Sequence, residues 1–445
     1  MRYIPLTENE KRLMLDGIGV TSIDDLFESI PSQLRFKRPL QVAGPMSELD
    51  VDRHMAKLAG MNQLSCLSFV GAGAYQHHIP AHIPQLATRS EFSTAYTPYQ
   101  PEISQGTLQS VFEYQTLICE LTGLDIANAS LYDGATATAE AMLMANRSNS
   151  RKTFIIPKTV HPEYRLVCRT YAKNLGFNLI EVGFTDDGTT DMKAAADQAG
   201  DDLSAIIIQS PNFFGCIENW EEASSLAKAR GAFSVAVTTE PLSLALIKSP
   251  GEYGCDLAVG EAQSFGVPVS FGGPALGYMA ALTKHVRNMP GRLVGETIDK
   301  NGKRGYVLTL ATREQHIRRE KATSNICTNE GLCALMATIY LSTLGKRGLR
   351  DLAGLNLSLA VHARAALQSS RKLKLRFNGV GFNEFVVDVG MDARKAHERL
   401  QNEGIIAGLP LGDLYPELST CLLLCFTEMV RREDIDCLVH ELEAL

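Results

Sequence analysis

Four stretches of the chain carry side chains whose types and spacing could do chemistry. In TAYTPYQPEISQG (94–106), Tyr96 and Tyr99 place two phenols on a proline-stiffened loop, with Glu102 and Gln105 as further polar groups. A long irregular stretch inside a compact chain is usually functional, although the same residues would suit an aromatic loop packed on its own domain. In SLYDGATATAEA, Gly134 with Thr136 and Thr138 opens a helix. Its first amides could hold a phosphate; the other meaning of the pattern is a plain helix start. In ATREQHIRREKATSNIC, Arg313, His316, Arg318, Arg319 and Lys321 concentrate positive charge ahead of the donors Thr323, Ser324 and Asn325. Such donors can reach a phosphate; the other meaning of such a run is a solvated helix face.

Histidine and cysteine do not add up to a metal centre. His77, His78 and His82 lie in YQHHIPAHIP, where the prolines should break any helix and no Asp or Glu lies close. They are expected to shape the loop, or one of them to approach the active site, with no metal bound. The ten cysteines form no CxxC and mostly sit in apolar surroundings, so reduced, buried thiols are expected.

The elements that must position these groups follow from the apolar pattern. Thr7 with Glu10 reads as a capping box, and Thr21-Ser22-Ile23-Asp24 as a second helix start. A loop-rich stretch runs over 69–105. From Gly106 a helical face of Leu108, Val111, Phe112, Ile118 and Cys119 ends at Gly123. Strands are expected at 153–157, 178–183, 204–210, 233–237, 256–260 and 276–281, with helices near 160–175, 190–199 and 219–230. The strands are nearly continuous apolar runs, as in a parallel sheet covered on both faces. Beyond Lys346 the pattern reads β-α-β-β-α. The expected organisation is a helical arm and active-site loop (1–105), a large α/β domain (106–325), and a connecting helix with a small C-terminal α+β domain (326–445).

Composition bounds the function. The 445 residues are 45% hydrophobic with a net charge of −7 and no basic block, so the footprint of a nucleic-acid binder is missing. The longest uncharged apolar run, Gly331 to Gly345, is shorter than the ~20 residues of a membrane span. Charges interrupt the N-terminal MRYIPLTENEKRLML, so no secretory signal is expected. These features imply a soluble cytoplasmic protein.

The large domain, the small C-terminal α+β domain, and a strand leading into the bend FGGPALG together resemble fold type I pyridoxal-phosphate enzymes. Within that class, FVGAGAYQHHIP, TAYTPYQPEISQGTLQSVFEYQT, NASLYDGATATAEA and REQHIRREKATSNICTNE are similar, in order, to the glycine decarboxylase P-protein. The resemblance spans essentially the whole chain.

The departures are as informative as the matches. The family's arrangement puts the lysine that holds the cofactor near Gln263 to Phe265, yet no lysine occurs between Lys248 and Lys284. The family's aspartate facing the pyridine nitrogen falls near Thr238, whose hydroxyl cannot supply that charge. The resemblance therefore implies the alpha subunit of a split P-protein, inactive alone and paired in an α2β2 assembly. Its lysine-bearing beta subunit would hold pyridoxal phosphate, decarboxylate glycine, and pass the aminomethyl group to the lipoyl arm of H-protein. No residue of this chain would then be catalytic by itself. Tyr96, Tyr99, Glu102 and Gln105 would face the partner's site, and Thr323, Ser324 and Asn325 would reach its phosphate. Gly134 and Thr136 would mark any remaining anion site here. His161 and Asn212 fall where the class contacts the cofactor ring. The alternative is a scaffold that docks H-protein and touches no substrate.

Overall fold

Unbroken apolar runs become the central strands. Leu203–Gln209 and Phe233–Thr238 are buried at every position. Successive side chains of a strand point to opposite faces. Ile206 and Ile208 therefore join one core with Ile155, Ala236 and Ala258, while Ala205 and Ile207 join the other with Phe154, Val235 and Val259. A strand that feeds two cores has no solvent face on which to place a polar residue. The computed structural model describes residues 6–62, 66–310, 315–326 and 328–445. Arg313, Cys327 and the side chain of His316 lie outside the described residues.

The main sheet has seven strands, in the order Ile126–Ala127, Gly277–Ala281, Leu257–Glu261, Phe233–Thr238, Leu203–Gln209, Thr153–Ile155 and Asn178–Ile180. The last five run parallel. Gly277–Ala281 returns antiparallel to Leu257–Glu261. The connection between these two strands contains no helix, and a parallel return requires a crossover. Helices Pro162–Lys173, Met192–Gln198 and Trp220–Ala229 connect the parallel strands, close to the expected positions. This is the expected fold type I α/β architecture, with the carboxyl ends of the parallel strands at one end of the sheet.

The C-terminal region forms an antiparallel sheet ordered Lys374–Leu375, Glu384–Asp388, Cys421–Cys425 and Leu409–Pro410, backed by helices Ala393–Asn402 and Arg432–Ala444. The helix Gly331–Gln368 leads into it and breaks at Gly345 (φ 58°, ψ −176°), a conformation that glycine adopts without a Cβ clash. The loop-rich stretch is less irregular than expected. His82–Ala87 is a helix despite Pro84, because a proline in the first turn removes an N–H that has no partner there. Leu67–Ser68 pairs with Ile405–Ile406 and stitches the start of this stretch to the C-terminal region.

The chain divides into two compact units, Met1–Leu64 and Ser65–Leu445. In the first, Thr7 caps the helix Glu8–Ile18 as expected: its Oγ1 accepts from Glu10 N at 3.3 Å, and Glu10 Oε2 accepts from Thr7 N at 2.6 Å. The helix expected from Thr21 is one 3-10 turn, Asp24–Phe27. A longer helix, Glu48–Ala59, follows. Among the described residues, no helix is long and apolar enough to cross a membrane.

Candidate active site

The carboxyl ends of parallel strands are where open α/β sheets bind ligands, and here that end is filled by the chain itself. Phe233–Thr238 ends at Thr239 and Glu240, Leu203–Gln209 at a cis Ser210–Pro211 bond, and Leu257–Glu261 at Gln263. Tyr75, from the loop after Leu67–Ser68, is buried among them. Its N–H donates to Gln263 Oε1 (3.0 Å), and its hydroxyl donates to Glu384 Oε2 (2.6 Å) and lies 3.4 Å from Thr239 Oγ1. Gln263 Nε2 donates to the Val267 carbonyl at 2.6 Å, and Gln209 Nε2 to Thr239 Oγ1 at 3.2 Å. The polar groups of Tyr75, Gln209, Thr239 and Gln263 thus already have partners within the chain.

Beside Tyr75, the buried His77 ring sits between two carboxylates. Nε2 is 2.9 Å from Glu240 Oε2, and Nδ1 is 2.9 Å from Glu428 Oε2. Glu428 also accepts from His78 N (2.7 Å) and Asn356 Nδ2 (2.9 Å). Burial pulls the ring's pKa down, but Glu240 and then Glu428 outweigh it and hold it at about 10. The absence of acids expected around these histidines holds only along the sequence: the fold brings in two. His78 is exposed, and His82 Nε2 meets Thr343 Oγ1 at 2.9 Å, so the three histidines diverge. Among the described residues, no three His, Cys, Asp or Glu side chains group as a metal site.

Glu384 links the cluster to the C-terminal antiparallel sheet, with Oε1 accepting from Ala72 N at 2.7 Å. Burial pushes its carboxyl from 4.5 up to about 7, against the pull of the Tyr75 and Ala72 donors. A folded pKa above the unfolded one means that stability is fully present below about 4.5 and is lost as pH rises through about 7. Glu384→Gln keeps the shape without the charge. Relative to this variant, the parent should lose about 1–3 kcal/mol between about pH 5 and pH 8, read from denaturant midpoints. Parallel curves for the two proteins would show that Glu384 does not titrate on folding.

The other sequence candidates separate into distinct places. Gly134 opens the helix Gly134–Asn149, and its N–H donates to Glu261 Oε2 at 3.0 Å. Thr136 N donates to the capping Asp133 at 2.6 Å. A phosphate at this helix start would have to displace a carboxylate. Burial raises Glu261 to about 7, while the Leu276 and Gly134 amides pull it down. Asn212 is spent internally, donating to Gly188 O (2.7 Å) and Glu218 (2.8 Å) and accepting from Phe214 N (2.9 Å). His161 Nε2 meets the Ala72 carbonyl at 2.8 Å, and the ring packs edge-on to Phe213. Thr238 Oγ1 is 3.3 Å from the Ser210 carbonyl.

A second place is a cleft of about 470 Å³ walled by Tyr96, Pro98, Arg292, Asn329 and Glu330. Tyr96 is 91% exposed. Tyr99 is half-exposed, and its hydroxyl accepts from Arg292 Nη2 at 3.0 Å. Glu102 is exposed. Gln105 turns away to bind both main-chain groups of Tyr306, accepting from its N at 2.8 Å and donating to its O at 2.9 Å. Thr323 and Ser324 are half-buried and Asn325 is exposed; Ser324 Oγ accepts from Ile326 N at 3.3 Å. Sequence reasoning missed Arg292, Tyr75, Glu240, Glu384 and Glu428.

The family model of the glycine cleavage system P-protein matches residues 1–442. The chain belongs to that family. It is 51% identical over 441 residues to the probable glycine dehydrogenase (decarboxylating) subunit 1 of Desulfitobacterium hafniense, covering 99% of this chain and 98% of the relative. It is also 51% identical to the same subunit of Moorella thermoacetica, over 100% of both chains. A crystal structure of glycine decarboxylase (P-protein) of the glycine cleavage system, in inhibitor-bound form, matches with TM-score 0.87 and 41% identity over 100% of both chains. A sphingosine-1-phosphate lyase of Burkholderia pseudomallei, 14% identical with TM-score 0.65 over 93% of each chain, shares the fold alone. Within this P-protein fold, the strand-end site does not fit pyridoxal phosphate. No lysine lies between Lys248 and Lys284, Thr238 offers a hydroxyl and no charge, Glu261 sits on the helix-start amide, and Tyr75 is buried at the strand ends.

Proposed function

We propose that this chain is the alpha subunit of a split P-protein, working with a beta subunit that carries the lysine and holds pyridoxal phosphate. Together they decarboxylate glycine and hand its aminomethyl group to the lipoyl arm of H-protein, in a cytoplasmic α2β2 assembly. The cofactor, held by the partner, supplies the electron sink for decarboxylation. This chain completes the partner's site with the loop carrying Tyr96 and Tyr99, and with Thr323, Ser324 and Asn325 as donors, and it stabilises the assembly.

The observation that carries the reading is the filled strand-end site. A lysine-free stretch from Lys248 to Lys284 coincides with a pocket occupied by Tyr75 and satisfied from within. Such a chain cannot form the covalent link that amino-acid decarboxylation on this fold requires, so a second chain must supply it.

The purified chain should therefore give no glycine–bicarbonate exchange with added pyridoxal phosphate. It should co-purify with a second chain of similar size and gain exchange when that chain is added. Exchange by the chain alone, with the visible absorption band of lysine-bound pyridoxal phosphate, would overturn the proposal.

A further inference from the structure

The open cleft is framed by strained backbone. Ser130 (φ 139°) and Asn329 (φ 53°) hold conformations that favour glycine, at a cost of about 1–3 kcal/mol each when another residue takes them. The two are joined: Asn329 Nδ2 donates to Ser130 Oγ at 3.0 Å, and Glu330 N donates to the same oxygen at 3.0 Å. Ala129 N, next to Ser130, donates to the Arg292 carbonyl at 2.9 Å. Asn128 Nδ2 donates to the Pro290 carbonyl at 3.1 Å. The backbone from which Arg292 projects is thus fixed on both sides.

The Arg292 side chain faces the cleft and meets the aromatic loop. Arg292 is only 4% exposed. Its Nη2 donates to the Tyr99 hydroxyl at 3.0 Å, and its guanidinium carbon lies 5.1 Å from the Tyr99 ring centroid. A hydrogen bond to the phenol and a cation over the ring together fix both the position and the tilt of Tyr99. Tyr96 is held through the same short turn, in which Tyr99 N donates to the Thr97 carbonyl at 2.9 Å. Burying a guanidinium is costly, so a residue needed only for packing would be apolar.

We propose that Arg292 is a positioning residue for the shared active site, setting Tyr99 and the turn bearing Tyr96 at the mouth of the cleft to meet a small amino-acid carboxylate bound by the partner subunit. This rests on the role given to the Tyr96–Tyr99 loop above and names what holds that loop in place. Arg292 acts through Tyr99 and touches no substrate itself.

The test uses the complete complex with its beta subunit and reads glycine–bicarbonate exchange for Arg292→Lys, Tyr99→Phe and the double variant. Lysine keeps the charge but loses the planar fork. Arg292→Lys should raise KM for glycine about tenfold, with a smaller change in kcat, at an unchanged yield of complex. In the Tyr99→Phe background it should add little, because the bond it serves is already gone. If Arg292→Lys does not assemble, Arg292→Gln takes its place in the same cycle. Tyr99→Phe raising KM while the Arg292 variant matches the parent would overturn this inference alone, as would effects that multiply in the double variant. Tyr99→Phe with unaltered kinetics would overturn this inference, and unaltered kinetics for Tyr96→Phe as well would overturn the loop's role.

Discussion

His77→Ala should destabilise the chain by about 3–5 kcal/mol, the largest stability loss expected of any single change in the buried cluster. The substitution leaves two carboxylates, Glu240 at 1% and Glu428 at 8% side-chain exposure, facing one another without a cation. Burial raises the Glu428 carboxyl, but the His77 hydrogen bond and charge outweigh it and hold the group at about 2. The pH window follows from the two shifts. The His77 ring is held at about 10, above its ordinary 6.5, so its contribution is complete below about 6.5 and is lost as pH rises through about 10. Glu428 sits below its ordinary 4.5, so its contribution is complete above about 4.5 and is lost as pH falls through about 2. The gap between parent and variant should be widest between these limits and should shrink above about pH 9. Denaturant midpoints across that range measure it. A gap under about 1 kcal/mol at pH 6 would mean that the ion triad does not hold the fold together.

The clamp also explains why part of the site was hidden from the sequence. His77 meets partners 163 and 351 positions away, and no local pattern announces a contact between a loop, a strand end and the C-terminal region. Tyr75 and Glu384 are 309 positions apart. The strands were legible because burial on both faces makes most of their positions apolar, with buried polar residues such as Gln209 and Thr238 toward their ends. The turn back to Gly277–Ala281 was less so, because strand direction depends on what connects the strands and not on the strands themselves. The hairpin Leu293–Ile298 with Arg304–Thr309 lay outside the expected strands, although Asn301-Gly302 at its turn is a strong local hairpin signal. Tyr96 and Tyr99 were legible by type and spacing. Arg292, which holds Tyr99, was not, since a single arginine carries no pattern.

Tyr96→Phe should lower glycine–bicarbonate exchange by the complete complex about tenfold or more, without altering the fold. The side chain is 91% exposed in the isolated chain, and substitutions at such positions change stability by about 0.5 kcal/mol or less. A lost rate therefore cannot be a folding defect. Phenylalanine keeps the ring for packing against a partner and removes only the hydroxyl, so the size of the complex should be unchanged by gel filtration. This separates the two uses of the chain. If it completes a shared site, the hydroxyl belongs to the reaction and its loss is felt in turnover while assembly persists. If the chain is a scaffold, its phenols are surface, and Tyr96→Phe and Tyr99→Phe complexes should both run at the parent rate. The exposure itself favours the shared site. An aromatic that is 91% exposed beside a cleft walled by Arg292, Asn329 and Glu330 leaves its hydroxyl open to a partner, and the strained frame of Ser130 and Asn329 would be a needless cost to a surface that only docks.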